Sequence, residues 1–228
     1  MSPLNQEIEK PALFAVLLGC TPRGRNVEQH DVMFGVAKSI DGLTDSMKTF
    51  WHKPYTTELI NGVKKIYPNV DVALLEKELL PPVLRRDKVH IDGWVQVNYV
   101  DGYRVDILPK HAAGGNNGLR LYFINLGGYK EEEFEEFHKK FFVVAANVSE
   151  ALAKAKQHPF MQEYSAGSIG IAGIAHLDDQ HKITFEPDDI ICVSDKLDDG
   201  YVLQLEQAED CTENKLVIGY KKLNYAGE

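Results

Sequence analysis

A seven-residue string, Leu13-Phe-Ala-Val-Leu-Leu-Gly19, returns 108 positions later as Leu121-Tyr-Phe-Ile-Asn-Leu-Gly127. The alignment continues without a gap to Ala37 and Ala145, and eight of its 25 positions are identical. They are Leu13/Leu121, Leu18/Leu126, Gly19/Gly127, Glu28/Glu136, His30/His138, Phe34/Phe142, Val36/Val144 and Ala37/Ala145. Average composition gives about one or two such coincidences. An internal duplication constrains the fold more than any local propensity, because both copies must reach similar structures and bury their apolar faces.

Each copy opens with a short continuous apolar run, which its length and branching favour as a buried strand. Gly19 and Gly127 close these runs, either for a turn with positive φ or for a close approach of another backbone. Thr21 to Asn26 reads as a loop, whereas the aligned Lys130 to Phe137 is acidic with Phe134 and Phe137 at helical spacing. Asp31–Lys38 and Lys139–Ala146 are second strands, each feeding a helix. The helical faces are Ile40, Leu43, Met47 and Phe50 in one copy, and Val148, Ala151, Ala155 and His158 in the other. Asn147 with Glu150 fits an N-terminal capping box, and Ser39 is the aligned cap.

Copy one carries an insertion at about residues 53–86, with helical spacing over Thr57–Ile66 and Asp71–Leu80 and a stop at Pro81-Pro82. Val89–Val100 and Tyr103–Leu108 read as a hairpin across Asp101-Gly102, a type I′ pair. His111 to Gly118 is the linker. Copy two ends in strand-like Lys182–Phe185 and Ile190–Val193, and Tyr201–Leu205 with Lys215–Tyr220 form an extra hairpin. The expectation is an α+β fold of two repeated β-β-α-β-β units, mainly antiparallel, packed about a pseudo-twofold axis in one compact body. The units span 12–110 and 119–194, with the C-terminal hairpin in 195–228.

The formal net charge of -9 argues against phosphate-backbone binding, which needs clustered cations, so no nucleic-acid partner is expected. No apolar run approaches a membrane span. Leu17-Leu18-Gly19-Cys20 resembles a lipoprotein box, but the segment before it holds Glu7 and Glu9 instead of a positive start. Three scattered cysteines, Cys20, Cys192 and Cys211, suit a reducing cytoplasm better than a disulfide framework.

The candidate chemistry lies in histidines shared by the copies. His30 and His138 follow the first strands, each preceded two residues earlier by Glu28 or Glu136. His90 and His176 precede later strands, each followed two residues on by Asp92 or Asp178. His with carboxylate is the raw material of a general base or a metal site. If the sheet edges meet, Glu28, His30, His90 and Asp92 cluster in copy one, with Asp31 nearby. The bland alternative is that these residues serve the fold, a strand-end His satisfying a carbonyl. No fixed metal-ligand spacing occurs, and neither a metal nor a cofactor is expected. Arg23 and Arg25 could orient a small anion at the mouth of such a site, where copy two carries Glu131 and Glu133.

Val27-Glu-Gln-His-Asp-Val32, His90-Ile-Asp92, Leu121 to Tyr129 and Phe137 to Ala145 resemble the bacterial domain-of-unknown-function family numbered 1543. The resemblance covers most of residues 12–194 and implies one or two copies of such a unit; it implies no activity. The leading expectation is a cytoplasmic binding or interaction protein holding a small polar or anionic ligand between the copies. The alternatives are an enzyme using His30 or His138 as general base, and a purely structural or homo-oligomeric module.

Overall fold

The computed structural model describes residues 10–22, 25–78, 88–112, 118–129, 134, 136–160, 176–177, 183–184, 190–197, 200–209 and 213–223. The chain divides into two compact units, Met1–Val97 with Asn214–Glu228, and Asn98–Glu213. The fold is α+β with antiparallel pairing throughout the described sheets. No helix among the described residues is long and apolar enough to cross a membrane.

Unit 1 is built on β1 (Ala12–Cys20), β2 (Gln29–Ala37), β3 (His90–Val97) and β12 (Lys215–Lys222), in the sheet order β12-β3-β1-β2. Alternation along β1 sends Phe14, Val16, Leu18 and Cys20 into a core with Met33, Ile91 and Trp94. Ile40, Leu43 and Met47 cover that face, from a 3-10 turn at Ile40–Leu43 and the helix α1 (Thr44–Ile66) that follows. This apolar spacing is the one read from the sequence, but α1 does not end near Phe50. It runs through Pro54 into the segment taken as a separate helix. A proline inside a helix costs about 3 kcal/mol. Here both halves are anchored, Met47, Phe50 and Trp51 on the sheet core, and Leu59, Ile60 and Val63 against α2 (Val72–Glu78). Asp71 caps α2 by accepting the Leu74 N–H at 3.2 Å. Pro81-Pro82 lie outside the described residues.

Unit 2 holds β4 (Tyr99–Val100), β5 (Tyr103–Pro109), β6 (Arg120–Tyr129), β7 (Glu136–Ala145), β10 (Ile190–Cys192) and β11 (Tyr201–Gln207). They form two three-stranded sheets, β10-β6-β7 and β11-β5-β4, and a separate ladder joins β8 (His176–Leu177) to β9 (Ile183–Thr184). Helix α3 (Val148–Lys156) lays Ala151 and Ala155 against Tyr122, Ile124, Leu126 and Val143. All nine residue pairs between β1 and β2, from Ala12↔Ala37 to Cys20↔Gln29, recur 108 positions on between β6 and β7. Phe137, expected on a helical face, is instead in β7 opposite Gly128.

The cap of α3 is as read: Asn147 Oδ1 accepts the Glu150 N–H at 3.0 Å, and Glu150 in return accepts the Ala146 N–H at 2.9 Å. Replacing Asn147 by Ala should cost about 1 kcal/mol, measured as a lower denaturation midpoint at unchanged slope. Ser39 makes no such side-chain cap bond.

Two pairings differ from expectation. Asp101 and Gly102 take φ 52° and 88°, as a type I′ turn requires, but only Tyr99 and Val100 pair across it. Beyond Asn98 the strand β3 pairs with β1 and β12, while β5 takes β11 as its long partner. The expected C-terminal hairpin is therefore absent: β11 joins β5 in unit 2, and β12 joins β3 in unit 1. The boundary between units falls at Val97 and again at Asn214, not in the linker at 111–118. A two-residue turn signal fixes the local reversal but carries no information on which strand the arms extend along.

Candidate functional site

The site forms at one end of the unit 1 sheet, where the central strand β1 finishes and β2 and β3 begin. Gly19 is the hub: His30 lies opposite it on β2 and His90 opposite it on β3. Directly paired residues of adjacent strands share a face, so both imidazoles lean over a position that has no side chain. A Cβ at Gly19 would stand 2.4 Å from Asp92 Oδ2, 2.7 Å from His90 Nε2 and 3.3 Å from His30 Cδ2. Gly19 continues the strand; its role is to leave space, not to end β1 with a turn.

Asp92 arrives through an irregularity in register. Leu17 pairs with Gly93 and Leu18 with Ile91, so Asp92 is an extra residue on β3. Such a bulge re-aims side chains, and here Ile91 and Trp94 both reach the core although they are three positions apart. Glu28 completes the group from the residue pair just before β2.

Four contacts close a ring of alternating imidazole and carboxylate. His30 Nε2 is 3.5 Å from Glu28 Oε2 and 3.1 Å from Asp92 Oδ2. His90 Nε2 is 2.9 Å from Glu28 Oε1 and 3.3 Å from Asp92 Oδ1. The environment is graded: the His90 side chain is 9% exposed and Asp92 24%, whereas Glu28 and His30 are 40% and 43% exposed. Tyr220 of β12 lies beside the His90 ring, centroids 4.5 Å apart and tilted. Tyr220 carries no signal in the sequence, because its strand reads as half of a separate hairpin.

The other sequence candidates lie elsewhere. Asp31 is opposite Leu18, on the core face, and not with His30; its carboxylate accepts the Val32 N–H at 2.7 Å, and desolvation by burial raises its pKa despite that bond. Arg25 is exposed, its backbone N–H held by Pro22 O, and Arg23 lies outside the described residues. His138 is exposed on β7 opposite Gly127, as His30 is opposite Gly19. His176 does not take the place of His90. It pairs with Thr184 in the two-stranded ladder, while β10 flanks β6 on the side where β3 flanks β1. The described pairing of β10 spans Tyr122 to Ile124 and stops short of Gly127. His158, placed on the apolar face of the second helix, stacks on Phe141 with 4.4 Å between ring centroids, and burial then Lys139 lower its pKa. Burial raises the Cys192 thiol pKa, which keeps it protonated and a poor nucleophile.

Among known proteins, a family model described as a domain of unknown function, DUF1543, matches residues 25–56. That single stretch contains Glu28 and His30 and stops before His90 and Asp92. The crystal structure of a protein Il1583 from Idiomarina loihiensis is similar with a TM-score of 0.53 and 22% identity. The likeness covers 94% of this chain and 99% of that one, and it concerns the fold. No curated protein matches.

Proposed function

We propose that this is a binding protein and that unit 1 holds a small cation at Glu28, His30, His90 and Asp92. The observation that carries this reading is the composition of the ring: two carboxylates meet two imidazoles, so the site is negative whenever the imidazoles are neutral. An anion placed there would face both carboxylates at short range, which a partly buried setting makes costly. The ligand expected from Arg23 and Arg25 thus changes sign, from small and anionic to small and cationic. The donors come from unit 1 alone.

The general-base alternative is weaker on geometry. A working histidine base is oriented by a carboxylate at one nitrogen and takes the proton on the other. Both carboxylates here meet the same nitrogen, Nε2, of each ring, so the proton-accepting atom is already engaged. The common register of β1/β2 and β6/β7 supports descent of the two units from one duplicated segment, with the ring completed in unit 1. A cytoplasmic setting remains part of the proposal on the strength of the scattered cysteines.

Equilibrium dialysis of the full chain against a panel of small amines, divalent metal ions and small anions tests the reading. The expected result is saturable binding of at least one cation, lost in the double variant Glu28→Gln/Asp92→Asn. Binding confined to anions, or cation binding indifferent to that variant, would overturn it.

A further inference from the structure

Resting on that reading, we infer that the cation is a divalent transition metal ion, ligated by Glu28, His30, His90 and Asp92 with one flank of its coordination open to solvent. Hydrogen bonding alone does not account for the ring. Each neutral imidazole has at most one proton at Nε2, so two protons must serve four contacts. Asp92 Oδ2 shows the deficit: it is buried and has no hydrogen-bond partner, although His30 Nε2 is 3.1 Å away. A buried acceptor left in this state is costly, and an ion at the centre of the ring would satisfy all four groups at once.

The spacing agrees with such an ion. Zinc-type bonds to nitrogen and oxygen of about 2.0–2.2 Å set neighbouring tetrahedral donors about 3.3–3.6 Å apart. The imidazole–carboxylate contacts, 2.9 to 3.5 Å, fall at or just below that separation, each histidine meeting a different oxygen of Glu28 and of Asp92. One ligand atom each from Glu28, His30 and Asp92 lie within 4.8 Å of one another; His90 is not in that group and would join as the fourth ligand by a small movement towards the ion.

The donor types narrow the metal. Two imidazoles select against calcium and magnesium, which take oxygen ligands, and favour zinc, iron(II), cobalt(II) or nickel(II). Cys20 follows the hub directly but is turned into the core, so the soft thiolate expected of a copper(I) site is not supplied there. Access narrows the role. Structural zinc sites are closed, whereas here His90 is buried beside Tyr220 and the Glu28–His30 flank remains solvent-facing. With four protein donors supplied, water or an oxyanion would enter on that flank as a fifth ligand, which is how an anionic ligand could still reach the site.

The test uses the full chain, stripped with a chelator and titrated with cobalt(II), followed by displacement with zinc(II). The expected result is one ion per chain, visible d–d absorption of a low-coordinate cobalt site that zinc bleaches, and a raised unfolding midpoint. His30→Ala and Asp92→Asn should each weaken binding by more than the ~10–100-fold that outer-shell partners are worth. Glu28→Gln, which preserves volume, serves if either variant unfolds by circular dichroism, and His138→Ala should leave affinity unchanged. Organic amines binding while cobalt and zinc do not would sink the metal and leave the cation reading standing. Binding of neither would remove both, and metal binding equally strong in all ring variants would place the ion elsewhere.

Discussion

Gly19→Ala should separate stability from binding. The added Cβ would meet the carboxylate end of Asp92 and the imidazole edge of His90 below van der Waals distance. Those are side-chain ends that can swing aside, so the strand should survive. Alanine also restricts the unfolded chain more than glycine, worth roughly 0.5–1 kcal/mol in favour of the fold. The ring cannot survive, because its four donors converge over the space that the methyl group takes. The expected outcome is an unfolding midpoint within a few degrees of wild type, with cation affinity reduced by about 100-fold or more, as for loss of positioned ligands. Titration calorimetry beside thermal denaturation reads both quantities. An alanine variant that binds as tightly as wild type would mean that the ligand does not sit over Gly19.

Deleting residues 214–228 should be the most damaging change outside the core of β1. It removes β12, which pairs with β3 at six positions from Lys215↔Gln96 to Lys222↔His90. It also removes Leu223, buried in the unit 1 core, and Val217 packed against it. Burial of one such leucine is worth about 1.5–3 kcal/mol, and small domains total about 5–15 kcal/mol. The Lys221–Asp41 ion pair and the Tyr220–His90 contact go as well. Hydrogen exchange should show early loss of protection in β1–β3, with the β6/β7 pair in unit 2 less affected. Unchanged protection across β3 would contradict this assignment of β12.

The legible parts of the fold were those with a local cause. Apolar runs and the 108-residue offset gave β1/β2 and β6/β7, Asp101-Gly102 gave its turn, and Asn147-x-x-Glu150 gave the cap of α3. The clustering was legible in part, since Glu28, His30, His90 and Asp92 meet as expected once the sheet edges adjoin, whereas Asp31 falls on the other face of the sheet. What escaped was pairing at a distance. A strand's alternation states that one face is buried, but not against which partner, so β11 and β12 read as each other's neighbours. The single helix α1 reads as two, with an insertion starting near residue 53, because the tertiary anchoring on both sides of Pro54 has no sequence signature. His176 matched His90 in a three-residue string, and such a string is too short to carry a position in the sheet. The ring geometry was invisible for a related reason. Its donors come from the starts of two strands, β2 and β3, that are far apart in the chain, so no fixed spacing records them.

The route of β12 back to unit 1 has a consequence for synthesis. Residues 98–213 form a continuous stretch and can begin to organise as soon as they clear the ribosome. Residues 1–97 emerge earlier but lack the strand that flanks β3 until residues 215–222 are made. At about 5–20 residues per second, the edge of β3 waits roughly 6–24 seconds for its neighbour. An exposed strand edge during that interval is open to wrong partners. The four ring residues and Gly19 are all made by residue 92, but the Tyr220 contact with His90 has to wait for β12.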